Sequence, residues 1–297
     1  MHIIRRRHFI ASAAAAFALP QASRAKVVSQ SPLFLFEKSF QNLPADEFGH
    51  VLREAGYDGI EATVRNGGRI SPVEAADELP ELVAALGRHQ VQVGMLATNF
   101  SSVDSKHVEA VLSTAAKLGI KQYRLGHWKY KAKEGLNKQL ANLRAVARDM
   151  AQMNEDLGIS GLIQNHAGSS TVGAAIWDLD LILEGVSPDA LGIVYDIRHA
   201  MVEGTSAWKT NWRRVQDHVR CVYVKDFVFK GKSASNVPIG EGVVGEQFYQ
   251  MLADLKWSGP VCIHTPWLKE LKPWDRAKAV SLLKKEANQV RDMMKTG

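Results

Sequence analysis

From residue 33 to residue 294, short apolar runs alternate with longer amphipathic stretches, eight times and with no linker between them. The apolar runs fall at 33–37, 60–64, 91–97, 122–125, 161–164, 191–195, 221–224 and 261–264. Bounded by turn residues, they read as buried strands. The amphipathic stretches cover 45–55, 73–89, 106–118, 136–157, 174–183, 208–219, 246–255 and 274–294. They read as helices, the second of them split by Pro80. A Gly-, Ser- and Lys-rich segment, 231–245, reads as a loop. Strands that alternate with helices lie parallel, because a parallel pair needs a helical crossover. Eight such units in about 265 residues match one closed α/β barrel, (β/α)8. An open doubly wound sheet is the competitor, but no Gly-x-Gly-x-x-Gly turn follows the first strand.

The 297 residues are 46% hydrophobic and 23% charged, enough apolar material for one large core. Part of the formal charge of +6 lies in the first 25 residues. No basic stripe with interleaved aromatics occurs, so the chain is not read as a nucleic-acid binder. Arg6-Arg7-His8-Phe9-Ile10 resembles a twin-arginine export signal. A mild Ala-rich stretch follows at 11–19, then Pro20 and the small-x-Ala sequence Ser23-Arg24-Ala25. Residues 1–25 therefore read as a cleavable signal peptide, 26–297 as the barrel, and the location as periplasmic or otherwise exported. The stretch is too short and too weakly apolar for a transmembrane helix. Cys221 and Cys262 each fall inside an expected strand. Buried free thiols are the first reading, and a disulfide between them is the alternative.

A barrel gathers the C-terminal ends of its strands around one pocket. Those ends carry Glu37 and Lys38; Glu61 and Arg65; Asn99; His127, Trp128 and Lys129; Gln164, Asn165 and His166; Asp196, Arg198 and His199; Lys225 and Asp226; and His264. Such a ring is rich in cations, amides and imidazoles, which suits a polyhydroxylated or anionic small molecule. Any one member also reads as a cap or a surface charge: Asp196 as an N-cap, Lys225 with Asp226 as a rim pair. Assigned to substrate binding are Glu37, Arg65, His127, Trp128, Asn165, Arg198 and Asp226. Trp128 is the chosen stacking surface because it follows the fourth strand directly.

Gly56-Tyr57-Asp58-Gly59-Ile60-Glu61, Gln164-Asn165-His166, Asp196-Ile197-Arg198-His199-Ala200, Val224-Lys225-Asp226 and Pro238-Ile239-Gly240-Glu241-Gly242 together resemble the sugar phosphate isomerase/epimerase superfamily, the xylose isomerase-like TIM barrels. The resemblance covers nearly all of the mature chain, and Asp-x-x-His is its most specific element. It implies one divalent cation (Mn, Mg or Zn) on a Glu, an Asp, a His and a Glu from the fifth to eighth strands. The two glutamates would serve as acid and base around a ketose or its enediolate. Of these only Asp196 is unchanged; Gln164, Tyr223 and His264 stand at the other three places. Gln164, Asp196 and His264 are the expected metal set. A glutamine cannot act as a base, so the two-glutamate mechanism is not carried over. His166, His199 and His264 become the candidate acids and bases, and Lys225 the group that stabilises an oxyanion.

The function expected is that of an exported isomerase or epimerase moving a proton alpha to the carbonyl of a sugar or keto-sugar. A keto-sugar lyase or hydratase needs the same chemistry. A non-catalytic carbohydrate-binding barrel is the reading from a different class, favoured by the missing glutamates and opposed by the three imidazoles. An endonuclease IV-like barrel needs more His and Glu ligands and a basic surface. The oligomeric state is not read from the sequence.

Overall fold

Eight parallel strands close into a ring in the computed structural model, which describes residues 31–231, 233–268 and 274–295. In chain order the strands are β1 (Leu33–Phe36), β2 (Gly59–Thr63), β3 (Gln92–Ala97), β4 (Gln122–Arg124), β5 (Ser160–Gln164), β6 (Leu191–Asp196), β7 (Val219–Val224), the hairpin pair β8 (Asp226–Lys230) and β9 (Ser233–Val237), and β10 (Val261–Ile263). The ring runs β1-β10-β7-β6-β5-β4-β3-β2, and β8 with β9 forms a separate antiparallel ribbon. Closure is made by Leu33, Phe34 and Leu35 in register with Val261, Cys262 and Ile263.

The helices are α1 (Ala45–Ala55), α2 (Ala75–Gly87), α3 (Val108–Lys117), α4 (Leu136–Leu157), α5 (Trp177–Ile182), α6 (Ile197–Gly204), α7 (Trp208–Val215), α8 (Glu246–Asp254) and α9 (Arg276–Met293). Side chains such as Phe48, Leu52, Leu79, Leu86, Val111 and Leu283 bury their stripes against the outer face of the strands. Each such side chain contributes about 1.5–3 kcal/mol when fully buried. Inside the ring, Phe34, Met95, Leu162, Val194, Cys221, Tyr223 and Cys262 form a second core. Gly94 is required there, since a Cβ at that position would lie 2.2 Å from the Phe34 ring.

Three expectations are corrected. Pro80 does not split its helix, and α2 runs through it. Proline removes one N–H, and the buried Ala75, Leu79, Leu82 and Leu86 hold both sides of the gap on one face. The segment 231–245 is not all loop, since its first part completes the β8–β9 hairpin. The span between 195 and 208, given no helix by its pattern, holds α6, which begins at Ile197 with Asp196 as its N-cap, in line with the capping reading of that residue. Both cysteines are free and buried. The expected signal peptide lies outside the described residues. No helix among the described residues is long and apolar enough to cross a membrane.

Candidate active site

At the C-terminal mouth of the barrel lies a cavity of about 410 Å³. Phe36 and Lys38 enter it from the end of β1, Arg65 from the turn after β2, and Arg124 and His127 from β4 and the residues after it. Gln164 and His166 come from the end of β5, Arg198 and His199 from the first turn of α6, and Lys225 from the end of β7. Asn236 comes from the hairpin, and His264 follows β10. Among the described residues, none that lines the cavity is a carboxylate. Two described carboxylates, Asp196 and Glu61, are fully buried and pair with residues that line it.

Asp196 is the first of them. One of its oxygens accepts the His199 backbone N–H at 3.1 Å, the capping bond that starts α6. The other accepts from Gln164 Nε2 and pairs with Lys225 Nζ, each at 2.7 Å. Asn165 clamps the Asp196 backbone, accepting its N–H at 2.7 Å and donating to its carbonyl at 3.1 Å. Burial would raise the Asp196 carboxyl, but His199 and Lys225 outweigh it and hold the group well below the usual range.

Glu61 is the second. Its Oε1 accepts from Arg124 Nε at 3.1 Å and from the Tyr223 hydroxyl at 2.5 Å. Its Oε2 faces Cys262 Sγ at 3.7 Å and His264 Nε2 at 3.4 Å. A register shift between β2 and β3 falls at Ile60/Glu61, beside the residue it helps to aim. Burial pushes the Glu61 carboxyl up, and His264, Arg124 and Tyr223 more than reverse this, bringing it down to about 2.

Three imidazoles run along one side of the cavity. The His127 and His166 ring centres are 4.6 Å apart, those of His166 and His199 3.8 Å. His166 Nδ1 lies 2.9 Å from the Ala167 carbonyl, which can only accept, so Nδ1 carries the hydrogen. The lone pair of neutral His166 is therefore on Nε2. His199 has Lys225 Nζ 3.1 Å from Nε2 and Arg198 Nη1 3.2 Å from Nδ1. A neutral ring accepts at one nitrogen only, so it bonds one of these donors. Across the mouth, His264 lies between Phe36 and Tyr223, with centroids 4.5 and 4.2 Å away. Burial lowers all four imidazoles: His127 to about 3, His199 to about 2, His264 to about 4, and His166 below its ordinary value. Burial thus favours the neutral form of each ring. Burial also lowers Lys225, against the pull of Asp196.

The structure brings Arg65, His127, Gln164, His166, Arg198, His199, Lys225 and His264 to the cavity, as expected from the strand ends. Four substrate-binding assignments are corrected. Glu37 is buried, accepting from the Thr63 N–H at 2.5 Å and from Arg69 Nε at 2.5 Å, so it ties β1 to the turn after β2. Trp128 is buried and donates to the Ser101 carbonyl at 2.8 Å, offering no face to the cavity. Asn165 serves the Asp196 backbone. Asp226 turns away from Lys225 and accepts backbone N–H groups of Phe227, Gly240, Gly242 and Val244 at 2.8–3.0 Å. Sequence reasoning gave no role to Glu61, Arg124, Phe36 or Asn236. Arg124 stood at a strand end, a signal that was available, whereas Glu61 lies in mid-strand and its partners are distant in the chain. Asn236 had none, being in a polar segment read as loop.

The expected metal set does not fit a divalent cation. Gln164 turns its amide nitrogen, which has no lone pair to give, toward Asp196. The Asp196 carboxylate already holds an ammonium. Tyr223 gives its hydroxyl to Glu61, and burial pushes its pKa well above the ordinary value. Among the described residues one other group, Glu61, Cys262 and His264, brings three ligand atoms within 4.8 Å of one another. His264 Nε2 lacks a hydrogen-bond partner there. These are the residues that could hold a soft cation, although Glu61 is already paired with Arg124.

The sequence profile of the xylose isomerase-like TIM barrels matches residues 50–291. No protein of curated function matches the sequence. Several solved structures share the fold. The IOLI protein with a bound zinc atom superposes with a TM-score of 0.70 at 17% identity, over 88% of this chain and 98% of that one. The 3-keto-D-glucoside 4-epimerase of E. coli gives 0.66 at 14% identity, over 89% and 100%. A xylose isomerase domain protein of Planctomyces limnophilus gives 0.65 at 15%, over 89% and 98%. With four fifths of its length matched by the family profile and its closed barrel in place, the chain belongs to the xylose isomerase-like TIM barrel family.

Proposed function

We propose that the chain is a carbohydrate isomerase or epimerase that moves a proton alpha to the carbonyl of a sugar or keto-sugar. The observation that carries this reading is one cavity receiving both a buried ammonium, Lys225, and an imidazole, His166, whose tautomer leaves Nε2 as a lone pair. Those are the two groups that enolisation needs. In the forward step the α C–H proton passes to His166 Nε2 and the C–H electron pair becomes a C=C bond. The carbonyl π pair moves to oxygen, where Lys225 stabilises the negative charge. The C=C pair then takes a proton back and the carbonyl re-forms. The proton comes from His166 Nε2–H on the same face, or from solvent on the opposite face, where His264 lines the mouth, with His166 then losing its proton to solvent. Arg65, Arg198 and Asn236 supply donors for substrate hydroxyls. The likeness to a 3-keto-D-glucoside 4-epimerase supports a keto-sugar as substrate.

The test is solvent exchange. Ketohexoses and keto-glucosides are incubated with the protein in D2O, and loss of the α C–H signal is followed by NMR. Exchange into at least one of them is expected, reduced by about a hundredfold or more in His166→Ala. No exchange into any compound of either class would overturn the reading, and binding without exchange would leave a carbohydrate-binding barrel. Export belongs to the same proposal, supported by Arg6-Arg7-His8-Phe9-Ile10 and Ser23-Arg24-Ala25. N-terminal sequencing of the protein from its native host is expected to begin near Lys26, and a full-length cytoplasmic product would refute it.

A further inference from the structure

We infer that Lys225 is a built-in cation. Its ammonium stands on Asp196 where the family resemblance puts a divalent metal ion, and the site works without that ion. The part of this inference that concerns catalysis rests on the function proposed above; the part that concerns metal binding does not.

The charge pattern makes the case. A carboxylate as deeply buried as Asp196 needs a positive partner. Asp196 has one at 2.7 Å, and it comes from the chain itself. Gln164 completes the exchange. A glutamate beside Asp196 would add a second negative charge, which suits a dication and over-neutralises an ammonium. A glutamine instead donates a hydrogen bond to the same oxygen that Lys225 holds. At the third place Tyr223 has become a donor to Glu61. Asp196 and Lys225 together carry no net charge, so the locus offers a dication little attraction and a like charge in its path.

The geometry also leaves the ammonium free to act. Lys225 has three N–H donors. One meets Asp196 Oδ2 and a second reaches toward His199 Nε2 at 3.1 Å. The third has no partner among the described residues, and Lys225 lines the cavity. A substrate carbonyl oxygen placed there receives a charge-assisted hydrogen bond from a donor already anchored on Asp196. This is the polarising task that a metal would otherwise perform.

Mn2+ is the probe, because it prefers oxygen ligands and avoids the thiol of Cys262. Chelator-treated wild-type protein is titrated with MnCl2 by calorimetry, and its melting temperature is recorded with and without the ion. The wild type and Lys225→Arg, which keeps a cation, are expected to show no saturable Mn2+ site. Gln164→Glu combined with Lys225→Met restores two carboxylates and removes the ammonium. It is expected to bind one Mn2+ per chain saturably, where the wild type does not, and to melt higher in its presence. The wild-type titration needs no variant to fold. One Mn2+ per wild-type chain, abolished by Asp196→Asn and kept in Glu61→Gln, would overturn the inference. A wild-type site lost in Glu61→Gln but kept in Asp196→Asn would place the ion elsewhere and support it. Solvent exchange into a keto-sugar that survives chelation supports the catalytic part, and exchange that stops on chelation and returns with Mn2+ overturns it. If no keto-sugar exchanges at all, the proposed function fails while the titration still decides the cation.

Discussion

Glu61 and Asp196 carry the same formal charge at the same depth, and their partners give them different work. Asp196 faces groups that line the cavity, so its charge is passed upward through Lys225 and Gln164. Glu61 also reaches the lining, through Arg124, and in addition accepts the Tyr223 hydroxyl inside the ring. Glu61→Gln is expected to destabilise the fold by roughly 3–5 kcal/mol, because it leaves the Arg124 guanidinium buried without a counter-charge. Urea unfolding measures this. Glu61→Gln with Arg124→Met is expected to recover most of the loss, and a double variant as unstable as the single one would show that the pair is not the cause. Asp196 was legible in the sequence because its partner elements sit in a short motif, with His199 three residues on. Glu61 was not, because its partners lie 63 and 162 residues away, on strands that only the closed barrel brings opposite it. The same reason hid the real work of Glu37, whose partners Thr63 and Arg69 are 26 and 32 residues distant.

Among the elements, the β8–β9 hairpin matters most to the site. It delivers Asn236, whose side-chain oxygen accepts from Arg198 Nε at 3.0 Å, and it places Phe227 under the Arg198 guanidinium. The hairpin is in turn anchored by Asp226, which collects four backbone N–H groups, three of them from residues 240–244. Gly242 is needed for that approach; a Cβ there would lie 2.2 Å from Asp226 Oδ1. Asp226→Ala is expected to speed amide exchange at Gly240, Gly242 and Val244 about a hundredfold or more and to lower the melting temperature by several degrees. Unchanged protection at those three amides would sink this account. The hairpin was not legible because Ser233–Val237 is polar and pairs outside the barrel, with no buried face to impose an alternating pattern. Helix α6 was missed for another reason. It follows β6 without a connecting loop, so no turn residue marks the change of period. Elements that bury a stripe on the barrel were read best, and α1 and α4 have the bounds expected from their spacing.

For the molecule as a whole, the eightfold alternation made the barrel legible, since every strand must bury both faces and every helix one. What it could not show is how acids buried in different places shape the stability of the entire fold against pH. Glu61, brought down to about 2, and Asp196, held well below the usual carboxylate range, contribute stability that is present above the ordinary carboxylate range. That stability is lost as pH falls through their folded-state values. Glu286 works in the opposite sense. It lies in α9, 1% exposed, and accepts the Ile239 backbone N–H at 3.1 Å. Burial pushes it up to about 7, and the Ile239 N–H and Lys285 offset this only in part. A folded-state value above the unfolded one means that the native state holds the proton longer. Its contribution is therefore complete below about pH 4.5 and is lost as pH rises to about 7, where the native state must ionise a buried carboxyl. The loss is on the order of 3 kcal/mol, at about 1.36 kcal/mol per pKa unit. Glu286→Gln keeps an acceptor for Ile239 and cannot ionise. Urea midpoints from pH 4 to 9 are expected to run together for the two proteins at the acid end. They should part between pH 4.5 and 7, with the variant the more stable above pH 7. Curves that stay parallel across this range would show that Glu286 ionises in the folded protein as easily as in the unfolded chain.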